Sequence, residues 1–279
     1  MKNLTTTLVL TTYNWIEALR ITLDSIARQT HLPDEVIIAD DGSRSDTSEF
    51  IHDYAAGFPT RLVHVWGEDD GYRRSVMINK AFGIARGEYI LQTDGDIVLH
   101  RNFVADHIRH AARGVYARGS RSFLDEKLTA RIFAGEVNPM RLPPFSGSNP
   151  LNAVRVPLLS PIVSHLSRDI DNVKGCNMAF FKSDLLTVNG YDNTLTGWGH
   201  EDKDLSFRLS NAGVKMKKVK FEALAFHLHH RFLSRDNADA NRARAFESLH
   251  AGTVRTPSGI AEVDSIVNPP RVIFEHNPL

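Results

Sequence analysis

Asp94-Gly95-Asp96 sets two carboxylates on either side of a glycine, directly after the apolar run Tyr89-Ile90-Leu91-Gln92. Carboxylate oxygens are the ligands a hard divalent cation takes, and a glycine lets the backbone come close to whatever is bound. For so short a motif, a turn satisfied by its own Asp side chains is the plain alternative. A second acidic cluster, Asp40-Asp41-Gly42-Ser43, follows another apolar run, Val36-Ile37-Ile38-Ala39. Acids recurring at two strand ends favour ligand binding over turn chemistry. Three histidines crowd residues 223–230: period-two alternation puts His227 and His229 on one face with Ala225, and Leu224, Phe226 and Leu228 on the other. Neutral imidazole suits manganese or a similar divalent ion, and water-facing histidines on an edge strand are the alternative. The sequence does not choose among His227, His229 and His230.

His200-Glu201-Asp202 follows Gly197-Trp198-Gly199 and opens a helix whose inner face is Leu205, Leu209 and Ala212. Acids in a first helical turn are favoured in their ionised form. An ionised carboxylate aimed into a cleft can take a proton from an attacking hydroxyl, and Trp198 offers a flat apolar face for a ring; ordinary helix-start chemistry is the competing explanation. Arg73 and Arg74 follow Gly71-Tyr72 at the same edge as both Asp clusters, where guanidinium groups suit a diphosphate.

These side chains need a scaffold. Over the first hundred residues short β-branched runs (6–12, 36–39, 62–66, 89–92) alternate with helical spacing (Ile16, Leu19, Leu23, Ile26, Ala27; then Met77, Ile78, Ala81, Phe82, Ala85). This β-α-β-α-β-α-β order predicts an α/β domain with a mainly parallel central sheet and helices on both faces. Both acidic clusters then fall beyond the carboxyl ends of parallel strands, the crevice where open α/β sheets bind ligands. The reading is one domain over residues 1–230, with a nucleotide-binding half at 1–100 and an acceptor-binding half at 101–230. Residues 123–160 read as a long loop over the site, and 231–279 as a polar helix followed by an aperiodic tail, either disordered or an oligomer arm.

Bulk properties exclude several classes. The 33 basic and 33 acidic residues among 279 balance to zero formal charge, which gives no electrostatic reason to expect nucleic acid. The basic run at 215–220 reads as a solvated strand end. Cys176 is the single cysteine, so no intramolecular disulfide or thiolate cluster forms, and cytoplasm is the default location. No run of about 18 apolar residues predicts a membrane span.

In order along the chain, Thr11-Thr12-Tyr13-Asn14, Asp40-Asp41-Gly42-Ser43, Gly71-Tyr72-Arg73-Arg74 with Asn79, Arg86-Gly87-Glu88-Tyr89-Ile90, Asp94-Gly95-Asp96 and Gly197-Trp198-Gly199-His200-Glu201-Asp202 resemble the family 2-like glycosyltransferases of GT-A fold. The later half is similar to the galactosyltransferase-type C-terminal region also present in chondroitin-type polymerases, and the likeness spans about residues 5–230. It implies Thr11, Tyr13 and Asp41 at the nucleotide, with Asp41 on the base and Asp94 on ribose or metal. It further implies Asp96 and His227 as metal ligands, with His229 kept in play by alternation. Asp202 would be the catalytic base, Glu201 and His200 would orient donor sugar and acceptor, and Trp198 would line the acceptor site. The expected cofactor is Mn2+ or Mg2+ and the expected donor a UDP-sugar. The acceptor is a saccharide or lipid-linked saccharide, the latter reached by peripheral membrane association; oligomeric state is left open. Two rivals weigh against transfer: a sugar nucleotidyltransferase, which would want a Gly-rich basic loop where Thr12-Tyr13-Asn14-Trp15 stands, and a non-catalytic nucleotide-sugar binding subunit.

Overall fold

The apolar runs of the first hundred residues are strands because each is β-branched, short and ended by polar residues. The computed structural model describes residues 4–230 and 237–278. Its elements are β1 (Thr6–Thr12), α1 (Ile16–Ala27), β2 (Glu35–Asp40), α2 (Ser45–Ala55), β3 (Arg61–Trp66), α3 (Arg74–Ile84), β4 (Tyr89–Asp94), β5 (Ile97–Leu99), α4 (Phe103–His110), β6 (Val115–Arg118) and β7 (Ser120–Phe123). There follow α5 (Glu126–Phe133), two single-turn 3-10 segments (Pro139–Arg141 and Pro150–Ala153), α6 (Ser160–Val163), β8 (His165–Ser167), β9 (Met178–Phe181), α7 (Lys182–Val188), α8 (Glu201–Asn211), β10 (Lys215–Lys218), β11 (Leu224–His227), α9 (Ala238–His250) and β12 (Arg271–His276).

A nine-stranded sheet runs β12-β3-β2-β1-β4-β9-β6-β10-β8, and a three-stranded sheet runs β5-β11-β7. Alternate residues of each central strand feed two cores. Leu8, Leu10, Val36 and Ile38 pack with α1, α2 and α4, whereas Val9, Ile37 and Ala39 pack with α3, α7 and α8. All seven are fully buried, and each of the six Leu, Val and Ile side chains is worth about 1.5–3 kcal/mol of apolar burial. Helices therefore cover both faces. Within the nine-stranded sheet, parallel pairing is confined to β3-β2-β1-β4 and to β6 with β10. Strands β8, β9 and β12 pair antiparallel, so the sheet as a whole is mixed.

Two further departures are informative. The stretch 123–160 is only partly loop: α5 is capped by Asp125, whose side chain accepts from the Leu128 backbone N–H. The tail is neither disordered nor free, since β12 adds antiparallel to the edge of β3, with a bulge between Val272 and Phe274. Its side chains are mostly exposed, which is why no hydrophobic period marks it. Residues 231–236, where the C-terminal segment was expected to begin, lie outside the described residues. No helix among the described residues is long and apolar enough to cross a membrane.

Candidate active site

The sheet order reverses on either side of β1, which is hydrogen-bonded to β2 and to β4. Register sets Thr11 against Asp94 and Thr12 against Asp40, so both acidic clusters open onto the carboxyl end of one strand. A cleft of about 480 Å³ lies there, lined by Thr11, Tyr13, Asp41, Arg74, Asp94 and Asp96 among others. Gly95 makes the turn possible: its N–H donates to the Thr11 carbonyl at 2.7 Å, and a Cβ there would stand 2.6 Å from that oxygen.

The two acids of the Asp-Gly-Asp turn face different partners. Asp94 Oδ1 accepts from the Thr11 hydroxyl at 3.0 Å and from Arg74 Nη2 at 2.6 Å. Burial alone would raise the Asp94 pKa, but the Arg74 guanidinium outweighs it and holds the carboxyl below its usual range. Asp96 turns toward β11. Pairing of β5 with β11 sets Ile97 against His227, and the Leu228 N–H donates to the Asp96 carbonyl at 3.0 Å. This register brings Asp96 Oδ2 within 3.0 Å of His227 Nε2 and 3.3 Å of His230 Nε2. The three ligand atoms lie within 4.8 Å of one another, and Asp96 Oδ1 is buried without a hydrogen-bond partner. A carboxylate with a spare buried oxygen beside two imidazoles is a donor set that fits manganese or a similar divalent ion.

Residues 7–131 match the model of glycosyl transferase family 2, and residues 163–231 match that described as the N-terminal domain of galactosyltransferase. Over residues 7–131 the chain is similar to glycosyl transferase family 2. It is 27% identical over 237 residues to the chondroitin synthase of Escherichia coli, a match that covers 79% of this chain and 34% of that one. It is 28% identical over 232 residues to the validoxylamine A glucosyltransferase of Streptomyces hygroscopicus subsp. limoneus, covering 75% and 48%. Against the hyaluronan synthase of Pasteurella multocida the identity is 25% over 236 residues, covering 79% and 24%. The chain thus spans between 24% and 48% of these relatives' lengths. The crystal structure of S. aureus TarS (residues 1–349) shares the fold, with a TM-score of 0.60 at 15% identity, covering 92% of this chain and 68% of that one.

Most sequence-predicted residues converge on the cleft, and some take other places. Thr11, Tyr13, Asp41, Arg74, Asp94, Asp96, Trp198 and His227 line the cleft. The Tyr13 hydroxyl donates to Asp69 Oδ2 at 2.9 Å. Asp41 accepts from the Arg73 N–H at 2.8 Å, and burial pushes its pKa up to about 6. His229 stands outside the histidine cluster: β11 ends at His227, so alternation stops there, and His229 is exposed with its N–H donating to the Thr129 hydroxyl. His230 folds back to take the position alternation assigned to His229.

The paired arginines also divide. Arg73 sends its guanidinium to the Val267 and Asn268 carbonyls at 3.1 and 3.2 Å, fastening the tail instead of facing the cleft. Arg74 is buried and reaches from Asp94 to Glu201, 3.6 Å from its Oε1. Glu201 Oε2 accepts from the Gly199 N–H at 3.1 Å, and burial, then the neighbouring Asp202, pushes its pKa up to about 7. Asp202 Oδ2 accepts from the Gly175 N–H at 3.1 Å. His200 precedes α8 at a left-handed φ of 67°, and burial lowers its pKa.

Sequence reasoning missed Arg121 and Phe123, which line the cleft from β7. Phe123 packs its ring 5.1 Å from that of His227, and the Arg121 guanidinium stacks 4.3 Å over the Phe123 ring. The alternating Arg121-Ser122-Phe123 was the available signal, but a four-residue strand inside a loop-like stretch carries little periodicity.

Proposed function

We propose that the chain is a metal-dependent inverting glycosyltransferase that moves a hexose or N-acetylhexosamine from UDP to a saccharide hydroxyl during surface polysaccharide assembly. The observation that carries the reading is the Arg74 bridge: one buried guanidinium ties Asp94 of the Asp-Gly-Asp turn to Glu201, the residue before the candidate base in the first turn of α8. Relatives named as chondroitin and hyaluronan synthases support the polysaccharide setting.

In this reading Asp41 accepts a hydrogen bond from the base, and Asp96, His227 and His230 hold the cation. A divalent ion bound there supplies electrostatic stabilisation of the leaving diphosphate. Trp198 gives the acceptor ring an apolar face. Asp202, fixed by the Gly175 N–H, takes the proton from the acceptor hydroxyl as it attacks the anomeric carbon from the side opposite the diphosphate. Glu201, tied to the Gly199 N–H and Arg74, positions the base. A lipid-linked acceptor would be met by peripheral association at the cytoplasmic leaflet.

The test is release of nucleoside diphosphate from a panel of UDP- and GDP-sugars, with manganese or with chelator, for wild type and Asp202→Asn. The expected outcome is manganese-dependent turnover of one UDP-sugar, abolished by chelator and lowered about 10²- to 10⁴-fold in the variant. Donor binding with no turnover of any sugar, across varied acceptors, would overturn the reading in favour of a binding subunit.

A further inference from the structure

Three cations lie within electrostatic reach of one another beside the candidate base, with no acid in close ion-pair contact among the described residues. Arg118 ends β6, Arg121 lies on β7, and Lys174 precedes the glycine that donates to Asp202. Among the described residues no carboxylate comes within 4.0 Å of any of the three. Arg121 Nη1 donates to the Cys176 thiol at 3.2 Å, and Arg118 Nη2 donates to the neutral Asn172 side chain at 3.3 Å. Arg118 is 8% exposed and its Nε is buried with no partner. Asp202, Asp169, Asp94 and Asp96 exert an opposite pull from further away.

The cluster is built into the fold. The Gly119 N–H donates to the Asn177 carbonyl at 3.0 Å, and Asn177 Nδ2 donates to the Ser120 carbonyl at 2.8 Å. These bonds fasten the strand pair to the 174–177 turn, so the cations are held together rather than free to swing apart into water. Burial lowers the Lys174 pKa, and the nearby Arg121 and Arg118 lower it further. Desolvated like charges are costly unless an anion completes them, and two guanidinium groups are shaped for the paired oxygens of a carboxylate or phosphate.

We propose that Arg118, Arg121 and Lys174 form a subsite for an anionic sugar, one carrying a carboxylate or phosphate, beside the Asp202 base. The inference rests on the glycosyl-transfer reading for which sugar is meant. Because Lys174 adjoins the glycine that holds Asp202, the acceptor is the expected bearer of the charge, and the donor sugar is the other source of the same chemistry.

The experiment is calorimetric titration of the full chain in manganese and UDP with methyl β-D-glucuronide, glucose 6-phosphate and methyl β-D-glucoside. A parallel pair, UDP-glucuronate and UDP-glucose, is titrated in manganese alone. At least tenfold tighter binding of a charged glycoside, reduced to parity in Lys174→Gln and in Arg118→Gln, is expected. A tenfold preference within the UDP-sugar pair instead, lost in the same variants, assigns the anion to the donor and likewise supports the subsite. Equal binding of charged and neutral sugars in both sets overturns it, as does a preference that survives both substitutions. An equal loss of UDP affinity in the variants with no charge discrimination also overturns it, since the cations would then serve the diphosphate. Melting curves report folding, and Lys174→Gln, at a half-buried position, keeps the test alive if Arg118→Gln unfolds. Failure of UDP to bind wild type breaks the glycosyl-transfer reading instead, and the glycosides titrated without UDP still read the subsite.

Discussion

The site residues contributed by the first hundred residues are held by neighbouring strands, whereas those from the second half are held by distant segments. Asp41 and Asp94 continue or end β2 and β4, and the parallel register with β1 alone brings them to one crevice. Glu201 and His227 depend on partners far away in the chain: Arg74 for the first, Asp96 for the second. The lesson is that a parallel α/β unit fixes its site by topology, while the later half must be pinned onto it by specific polar contacts. Damage to a pin should therefore cost more than damage to a residue the topology already holds.

Arg74→Gln is the most severe break of that pin. It leaves Asp94 without its charge partner and cuts the link to Glu201 at once. Losing the hydrogen bond to a partly buried charged partner costs about 1.5–3 kcal/mol, to be read from urea denaturation. Diphosphate release should fall at least about 10²-fold, as expected when groups that act together are misplaced. A stability change under about 1 kcal/mol would show that the halves are joined by apolar packing alone.

A smaller effect separates the histidines. His230→Ala should weaken manganese binding about 10- to 100-fold, a loss typical of disturbed metal surroundings, while His229→Ala should change it less than about twofold. Manganese titration followed by electron paramagnetic resonance distinguishes the two. Equal losses would mean that the end of β11 does not set the metal cluster.

Much of the first half was legible in the sequence because burial on both faces makes strands continuous apolar runs, and polar residues mark where they stop. Asp41, Asp94 and Asp96 could be placed from that pattern. His230 could not be chosen over His229, because the end of a four-residue strand is set by the Leu228 N–H bonding back to Asp96 and not by any local pattern. Arg73 and Arg74 are adjacent and chemically alike in sequence, yet one fastens the tail and the other bridges the acids; long-range partners decided between them. Strand β12 was hidden because an edge strand with solvent-facing side chains buries too little to show a period.

The tail offers the mildest test of the comparison, since it is pinned to the first half by an ion pair near the surface. Arg61 Nε donates to Glu275 Oε1 at 2.8 Å, and Arg86 lies 3.4 Å from the same oxygen. The hydrogen bond from Arg61, followed by that from Asn277 and the nearby arginine charges, lowers the Glu275 pKa from 4.5 to about 2 despite some burial. A folded-state value below the unfolded one means stability that is complete above pH 4.5 and lost as pH falls toward about 2. Thermal melts of wild type and Glu275→Gln should therefore differ at pH 6, by at most about 1 kcal/mol as for a partly exposed pair, and converge by pH 2. A gap that persists undiminished at low pH would show that the substitution acts on β12 packing and that charge does not fasten the tail.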